Sequence, residues 1–163
     1  MVHVYTGDGK GKSTCAAGLA ARCAGRGQKV AFFQFLKCEP SGECVSLADQ
    51  ISFYRLEEPF GFVFQMSDTE KETVKQNTRM LWDKACSMQC DMLVLDELFG
   101  AISVGFVLEE ELLSFLDNTS AEVVITGRDA PLKVLEKADY VTEMKCIKHP
   151  YDKGVSARCG IEF

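Results

Sequence analysis

Short apolar runs alternate with longer amphipathic segments from one end of the chain to the other. The apolar runs are rich in branched and aromatic residues, which favour β-strands, and lie at residues 2–5, 30–36, 51–56, 92–95, 123–126 and 140–144. Apolar residues at helical spacing predict helices at residues 12–26, 68–88, 108–116 and 131–137. Because strands that alternate with helices build βαβ units, the pattern predicts an α/β fold with a mostly parallel β-sheet flanked by helices.

The size and charge of the chain narrow the classes of protein that it can be. Its 163 residues suit a single domain spanning residues 1–163. The formal net charge of -6 argues against a general nucleic-acid surface, which would need a basic patch. No apolar run approaches the roughly 20 residues of a membrane span, and the chain opens in a predicted strand rather than a signal peptide. We expect a cytoplasmic protein without a membrane or nucleic-acid partner.

The chain has eight cysteines, and none of them forms a Cys-x-x-Cys pair. They are Cys15, Cys23, Cys38, Cys44, Cys86, Cys90, Cys146 and Cys159. We expect small, buried, reduced thiols, as in a reducing compartment. Cys86 and Cys90 are four residues apart in a predicted helix and so share a face, which leaves a metal or redox role as an alternative. Cys38 and Cys44 flank a predicted loop and are expected to oxidise most readily.

The segment between the first strand and the first helix has the composition of a phosphate-binding loop. It reads Thr6-Gly7-Asp8-Gly9-Lys10-Gly11-Lys12-Ser13-Thr14. Its glycines let the backbone wrap an anion with N–H groups pointing inward, and the helix start adds its positive dipole end. Lys12 supplies a charge for phosphate oxygens, and Ser13 offers a hydroxyl to Mg²⁺. The order strand, loop, helix therefore predicts a P-loop rather than a simple glycine-rich turn.

This loop departs from the usual P-loop spacing by one residue. The usual pattern is Gly, four residues, then Gly-Lys-Ser or Gly-Lys-Thr. Here the first position falls on Thr6, and Gly7 follows one residue late. The shift predicts a nonstandard pose of the bound phosphates.

Charged residues follow several of the predicted strands. The apolar run at 92–95 ends in Asp96 and Glu97, and in P-loop proteins such an acid holds Mg²⁺ directly or through water. Two further strands run towards Lys37 and Arg128. Because ligand sites of parallel sheets lie at the carboxyl ends of the strands, all four residues are expected near the loop. Arg128 either reaches a phosphate or an acid, or is an exposed arginine in a turn.

Several motifs are shared with one known family. They are the loop with Tyr5 before it, Arg22, Gln34-Phe35, Leu95-Asp96-Glu97, Thr126-Gly127-Arg128, Lys148-His149-Pro150 and Gly160-Ile161-Glu162. With these motifs the chain resembles the P-loop type of ATP:corrinoid adenosyltransferase, over nearly its whole length. The Thr-Gly-x-Gly-Lys-Gly-Lys loop is the most distinctive of them.

The resemblance implies a fold, a reaction and partners. The fold is a RecA-like P-loop NTPase domain, commonly a homodimer. The reaction moves the 5′-deoxyadenosyl group of ATP to the Co(I) of a reduced corrinoid such as cobalamin and releases triphosphate. In the family ATP lies reversed in the loop, with its γ-phosphate where other P-loop proteins hold the α-phosphate. Mg²⁺, a flavoprotein reductant and a corrinoid-dependent enzyme are the further implied partners.

The resemblance also implies roles for individual residues. It assigns ATP binding to Thr6, Gly7, Asp8, Gly9, Lys10, Gly11, Lys12, Ser13, Thr14, Arg22, Glu97 and Arg128. Lys12 is also expected to act in catalysis, and Ser13, Asp96 and Glu97 are the expected metal ligands. Some members carry an extra N-terminal segment that folds over the active site. This chain begins at the first predicted strand, so we expect that cap either to be absent or to be missing from the sequence.

The aromatic segment Phe60-Gly61-Phe62-Val63-Phe64 interrupts a polar stretch. Its alternation fits a strand buried against the sheet, or a loop that covers a flat apolar ligand. The resemblance favours the loop, with Phe60 and Phe62 displacing the lower axial ligand of the corrinoid. Phe62 stands where the family often has Trp. Trp82, the single tryptophan of this chain, lies in a predicted helix and is expected in the core.

Two other functions compete with the adenosyltransferase. A small nucleoside kinase or phosphotransferase would need an acceptor site and a lid with basic residues, and no arginine-rich segment of that kind is evident. A nonenzymatic ATP-dependent switch would need an element that senses the γ-phosphate, and none is identified. The adenosyltransferase is therefore the predicted function.

Overall fold

A computed structural model describes residues 1–57 and 66–162 of the chain. Within these parts the strands are β1 (Val2–Thr6), β2 (Val30–Gln34), β3 (Ile51–Arg55), β4 (Met92–Asp96), β5 (Glu122–Thr126) and β6 (Tyr140–Glu143). The helices are α1 (Lys12–Ala24), α2 (Gly42–Ser46), α3 (Asp68–Cys86), α4 (Leu98–Ser103), α5 (Glu109–Asn118) and α6 (Leu132–Lys137), followed by a 3₁₀ turn at Pro150–Lys153. None of these helices is both long and apolar enough to span a membrane.

The six strands form one sheet in the order β3-β2-β4-β5-β1-β6, and every neighbouring pair is parallel. The predicted α/β fold with a parallel sheet is confirmed. Since β4 and β5 lie between β1 and β2, the chain crosses two strands after leaving β1. The carboxyl ends of all six strands lie along one edge, where α/β proteins place their ligands.

Both faces of the sheet are covered at β2, β4 and β5, which explains why these strands are apolar almost throughout, whereas the edge strand β6 is exposed. On β4, Leu93 and Leu95 point into the larger core with α3, α4, α5 and α6, whereas Met92 and Val94 point towards α1. This alternation is the period of two that a strand imposes on its side chains. Small residues of α1, among them Ala16 and Ala20, are fully buried and let the helix lie close to the sheet.

Several predicted elements end earlier than the apolar pattern suggested. The run at 30–36 leaves the sheet after Gln34 because Leu36 adopts a left-handed backbone conformation with φ 53°. The helix predicted at 68–88 ends at Cys86, with Ser87 as its C-cap. Trp82 of that helix is 3% exposed, so its predicted place in the core is confirmed.

The predictions for the cysteines need three corrections. Of the eight, only Cys44 is buried, while Cys15, Cys86, Cys146 and Cys159 are exposed. Cys44 does not flank a loop but lies in α2, where its thiol donates to Gln34 Oε1 at 3.2 Å.

Cys86 and Cys90 do not share a helical face, because Cys90 lies beyond the end of α3. Desolvation by neighbouring groups raises the pKa of both thiols, that of Cys86 to about 11, so little thiolate forms at neutral pH. Across residues 1–57 and 66–162, no group of three or more His, Cys, Asp or Glu side chains is arranged to hold a metal. The pair therefore lacks the shared helical face on which the metal or redox alternative rested.

Candidate active site

A cavity of about 600 Å³ opens at the carboxyl edge of the sheet. It is lined by Asp8, Gly9, Lys10, Gly11, Lys12, Ser13, Thr14, Lys37, Ser41, Gly42, Glu43, Glu97, Arg128, His149, Gly160, Ile161 and Glu162. The structure therefore brings together most of the predicted loop with three charged residues from other strand ends, Lys37, Glu97 and Arg128. The lining combines the loop and the start of α1 with charges of both signs, a combination that suits a metal-bound polyphosphate.

The loop is shaped by its contact with the chain that follows β6. The Gly9 N–H donates to the Met144 carbonyl at 2.6 Å, so it does not point into the cavity as predicted. A Cβ atom on Gly7 or Gly9 would lie 2.6 or 2.7 Å from that same carbonyl oxygen. These glycines are thus required by close packing, in addition to any backbone contact with a ligand.

Lys12 is the first residue of α1 and holds the loop in shape. Its ammonium donates to the Gly7 carbonyl at 2.6 Å and to the Gly9 carbonyl at 3.0 Å. The residue is 8% exposed, and burial lowers the pKa of Lys12 although Glu97 opposes the shift. The start of α1 adds a partial positive charge at the same point. Lys12 therefore presents a positioned cation beside the loop N–H groups.

A second lysine joins the loop to the end of β4. The Lys37 ammonium donates to Ser13 Oγ at 3.0 Å and to Asp96 Oδ2 at 2.7 Å. Burial would lower the pKa of Lys37, but the Asp96 carboxylate outweighs it and the net pKa is raised. We call the point between Ser13 Oγ and Asp96 Oδ2 the cation position.

Asp96 is fully buried and both of its carboxylate oxygens are engaged. Oδ1 accepts from the Thr126 hydroxyl at 2.6 Å, and Thr126 Oγ1 in turn accepts from the Glu97 N–H at 2.9 Å. A buried carboxylate is stable only with such partners. The network fixes Asp96 beneath the cavity and aims Oδ2 at the cation position.

Strained backbone surrounds this network. In the described parts of the chain, three residues other than glycine have positive φ: Leu36 (53°), Glu97 (59°) and Asp129 (51°). Each follows a different strand, β2, β4 or β5, by one to three residues. A left-handed conformation costs roughly 1–2 kcal/mol in a residue with a side chain, and such strain clusters at functional sites. The left-handed residue Leu36 directly precedes Lys37.

The other charged residues line the mouth of the cavity. Arg128 Nε lies 3.7 Å from Asp8 Oδ1, and both side chains are largely exposed. Lys10 donates to the Ile161 carbonyl at 2.9 Å, which ties the C-terminal segment to the loop. His149 Nδ1 accepts from the Tyr151 N–H at 3.2 Å, so this ring nitrogen caps the following 3₁₀ turn. That contact fits a structural or substrate-contacting His149 rather than a general base.

Some predicted site residues lie away from the cavity. Arg22 is exposed in the last turn of α1, roughly 15 Å from Lys12 along the helix axis. Thr6 and Gly7 support the loop without lining the cavity. Phe60 and Phe62 lie outside the described residues, and their roles stay predictions.

Sequence reasoning assigned no role to two residues of the site, Lys37 and Thr126. Lys37 was recognised only as a strand end, and Thr126 only as part of a family motif. A lysine just after a buried strand is a usable signal, since it follows the same rule that identified Asp96. Thr126 gave no such signal, because a threonine at the end of a strand is common in any sheet.

The parallel sheet, the glycine-rich loop before α1 and the buried Asp96 define a P-loop nucleotide-binding protein of the α/β class. A family model described as ATP:corrinoid adenosyltransferase BtuR/CobO/CobP matches residues 1–163. The chain belongs to this family, and the resemblance drawn from its motifs is confirmed.

Named relatives agree with the family match. The chain is 35% identical to the corrinoid adenosyltransferase of Escherichia coli strain K12, over 100% of this chain and 85% of the relative. It is also 35% identical to the corrinoid adenosyltransferase of Pseudomonas aeruginosa, covering 83% of that protein. The corrinoid adenosyltransferase CobA of Salmonella typhimurium gives 35% identity with 85% covered.

Proposed function

We propose that this enzyme transfers the 5′-deoxyadenosyl group of ATP to the Co(I) of a reduced corrinoid, giving adenosylcobalamin and triphosphate. The single observation that carries the proposal is the cavity at the carboxyl edge, where the loop, Lys12 and the cation position converge. Membership of the adenosyltransferase family supplies the reaction.

The reaction places few chemical demands on the protein. An electron pair on Co(I) forms the bond to C5′, and the C5′–O bond breaks with its electron pair leaving on triphosphate. No proton is transferred at the reacting carbon, so no general base is needed. The task of the protein is to orient the two substrates and to stabilise the negative charge that develops on the leaving group.

The loop has the groups that such a leaving group needs. Lys12 holds a positive charge beside it, and the remaining loop N–H groups and the start of α1 add to that charge. We propose the reversed ATP pose of the family, with the γ-phosphate deep in the loop. The one-residue shift from Thr6 to Gly7 supports a loop that differs from the ordinary one.

The donor set at the cation position fits Mg²⁺. Ser13 Oγ and Asp96 Oδ2 already hold a cation, the Lys37 ammonium, at 3.0 and 2.7 Å. Hydroxyl and carboxylate oxygens are ligands that Mg²⁺ prefers, and Glu97 lines the same cavity. We propose that Ser13 and Asp96 hold the metal, with Glu97 beside them. When bound, Mg²⁺ would neutralise part of the triphosphate charge.

The partners and the compartment are also proposals. We propose a homodimer that works with a flavoprotein reductant and a corrinoid-dependent enzyme, on the strength of the family resemblance. All eight cysteines are free, which supports a reducing compartment such as the cytoplasm.

One assay tests the function. The protein is incubated with ATP, Mg²⁺ and chemically reduced cob(I)alamin, and both products are identified. Adenosylcobalamin with intact triphosphate is the expected result. ADP with a phosphorylated acceptor would instead identify a kinase, and nucleotide-dependent partner binding without either product would identify a switch.

The aromatic segment makes a separate prediction. As the family resemblance implies, an apolar wall in place of the lower axial ligand would make Co(II) easier to reduce, because no axial donor would raise the half-filled orbital that accepts the electron. We therefore expect Phe62→Ala to spare transfer to prereduced Co(I) and to impair the route that starts from Co(II). The two rates are measured side by side on the same preparation. Equal losses in both assays would contradict axial displacement by Phe62.

A further inference from the structure

Lys37 has a role that the family match does not assign. Its ammonium is held by two oxygens, Ser13 Oγ at 3.0 Å and Asp96 Oδ2 at 2.7 Å. These are the two oxygens that the proposed function gives to Mg²⁺. The cation position therefore has two candidate occupants, the Lys37 ammonium and Mg²⁺.

We propose that Lys37 is an exchangeable internal cation, which occupies the cation position until a metal enters and then moves to the triphosphate. The proposal rests on the proposed function for the identity of the metal and the triphosphate. It deepens that function by adding a residue that contacts the leaving group.

Two features of the site require an exchange rather than a shared position. Asp96 is fully buried, and its second oxygen is already committed to Thr126. A buried carboxylate without a cation is costly, so Lys37 keeps Asp96 compensated before the metal binds. If a metal ion is coordinated by Asp96 Oδ2 and Ser13 Oγ, the ammonium cannot stay bonded to the same two oxygens, because two cations so close together would repel strongly.

The Lys37 ammonium has open space to move into when a metal displaces it. Its side chain is 34% exposed, in contrast to Asp96 at 0%, and it lines the cavity together with the loop residues. A lysine has a flexible four-carbon stem, which lets its ammonium shift by several ångströms, about the length of one or two hydrogen bonds. Since Ser13 belongs to the phosphate loop, a short movement away from Ser13 brings the ammonium to phosphate oxygens.

The exchange predicts that Lys37 affects metal and triphosphate binding with opposite signs. A metal ion that binds alone must displace the ammonium, so Lys37 lowers the affinity for the metal alone. Metal-bound triphosphate gains a charged hydrogen bond from the displaced ammonium, so Lys37 raises the affinity for metal-bound triphosphate. A lysine that merely holds the fold would alter both affinities in the same direction or neither.

The test compares Lys37→Met with Lys75→Met, a matched change at an exposed lysine on α3. Calorimetric titrations use Mn²⁺ alone, as a probe for Mg²⁺, and then inorganic tripolyphosphate in excess Mg²⁺. All titrations are run in one buffer at the same pH. In Lys37→Met, Mn²⁺ alone should bind about tenfold more tightly and Mg²⁺-tripolyphosphate about tenfold more weakly, as expected for one charged hydrogen bond. Lys75→Met should match the wild type.

Unchanged or weaker Mn²⁺ binding in Lys37→Met would overturn the proposal, as would unchanged tripolyphosphate binding. If Lys37→Met does not fold, Lys37→Gln replaces it, because an amide can still donate to Asp96 without carrying a charge. The same pair of opposite changes is then required. No corrinoid enters these titrations, so failure of the adenosyl-transfer assay would reject the proposed function without deciding the role of Lys37.

Discussion

At the scale of single residues, Lys12 both holds the phosphate loop in shape and supplies its positive charge. Its ammonium bonds to the Gly7 and Gly9 carbonyls, and its backbone starts α1. Its removal therefore takes away a cation and two bonds that hold the loop closed. The loop backbone retains its other contacts, including the Gly9 bond to Met144.

We expect Lys12→Ala to lower kcat about 100- to 1,000-fold, because the positioned donor acts mainly on charge that develops in the transition state. Steady-state rates of adenosylcobalamin formation measure this change. Lys133→Ala, at an exposed position on α6, is the control and should leave the rate unaltered. A Lys12→Ala enzyme with near-wild-type kcat would refute the role given to this ammonium.

Glycines offer a second test at this scale. Gly127 follows β5 with φ 146°, and a Cβ atom there would lie 2.7 Å from Phe99 Cβ. Gly18 lies in α1 with nothing within 4 Å of such an atom. We expect Gly127→Ala to lower the free energy of unfolding by about 2–3 kcal/mol. Gly18→Ala should raise it by about 0.5–1 kcal/mol.

Urea denaturation of both variants measures these changes. Both variants add one methyl group at a glycine, so opposite changes in the free energy of unfolding must come from the surroundings of each glycine. If Gly127→Ala proved as stable as the wild type, the close approach of Phe99 would have no energetic meaning.

The residues of the site differ in how well sequence alone predicts them. Asp96 follows an apolar strand, and its place at the carboxyl edge could be predicted. Lys37 also follows a strand, but its direction depends on the left-handed turn at Leu36, for which leucine gives no sequence signal. The inward direction of the Gly9 N–H was predicted wrongly, since the Met144 carbonyl that accepts it lies 135 residues away in the chain.

At the scale of elements, α3 and α5 are joined by a bidentate ion pair. Arg79 donates to both Glu111 carboxylate oxygens, at 2.6 and 2.8 Å. Glu111 also accepts from the Leu108 N–H at the start of α5. The hydrogen bond with the Arg79 guanidinium lowers the pKa of Glu111 below its ordinary value of 4.5.

We expect Glu111→Gln to destabilise the protein by about 1 kcal/mol at neutral pH, near the upper end for partly exposed ion pairs. A carboxyl group with a lowered folded-state pKa stabilises the fold above its unfolded pKa, and this contribution is lost as the pH falls through the folded value. The difference between wild type and Glu111→Gln should therefore shrink as the pH drops below 4.5. Urea midpoints measured across this range check it, and a constant difference would contradict the ion pair.

Element prediction succeeded where the local pattern is clear. The six strands of the described sheet were all predicted, since each lies in a short run with branched and aromatic residues. The six-residue helix α6 was predicted, but α2 and α4 were not. Helix α2 lies in a segment predicted as a loop, and α4 is apolar almost throughout, so neither shows the amphipathic spacing that indicates a helix. The order of the strands could not be predicted either, since it depends on contacts between residues distant in sequence.

At the scale of the whole molecule, the site exists only when the sheet is complete. Its charged groups come from the ends of β1, β2, β4 and β5 and from the C-terminal segment. Mutations in the core should therefore weaken the fold without changing a site that is already assembled. Leu112 suits a test, because it is fully buried in α5 and does not line the cavity.

We expect Leu112→Ala to lower the free energy of unfolding by about 2–5 kcal/mol. For a domain of this size each kcal/mol corresponds to about 2–4 °C in Tm. Mg²⁺-tripolyphosphate binds the folded state. At a concentration of about 100 times its Kd, it should raise the free energy of unfolding by about 2.7 kcal/mol. Because the site is assembled in both proteins, wild type and Leu112→Ala should gain nearly the same stabilisation.

Lys12→Ala separates this linkage from a nonspecific salt effect. Tripolyphosphate with Mg²⁺ should give it a much smaller Tm increase, since the variant lacks the cation that holds the phosphates. Thermal unfolding of the three proteins across a ligand titration measures both effects at once. An equal increase in Lys12→Ala and Leu112→Ala would mean that the ligand binds somewhere other than the loop. A selective loss in Lys12→Ala would instead make the stability of the whole domain a direct measure of occupancy at its phosphate site.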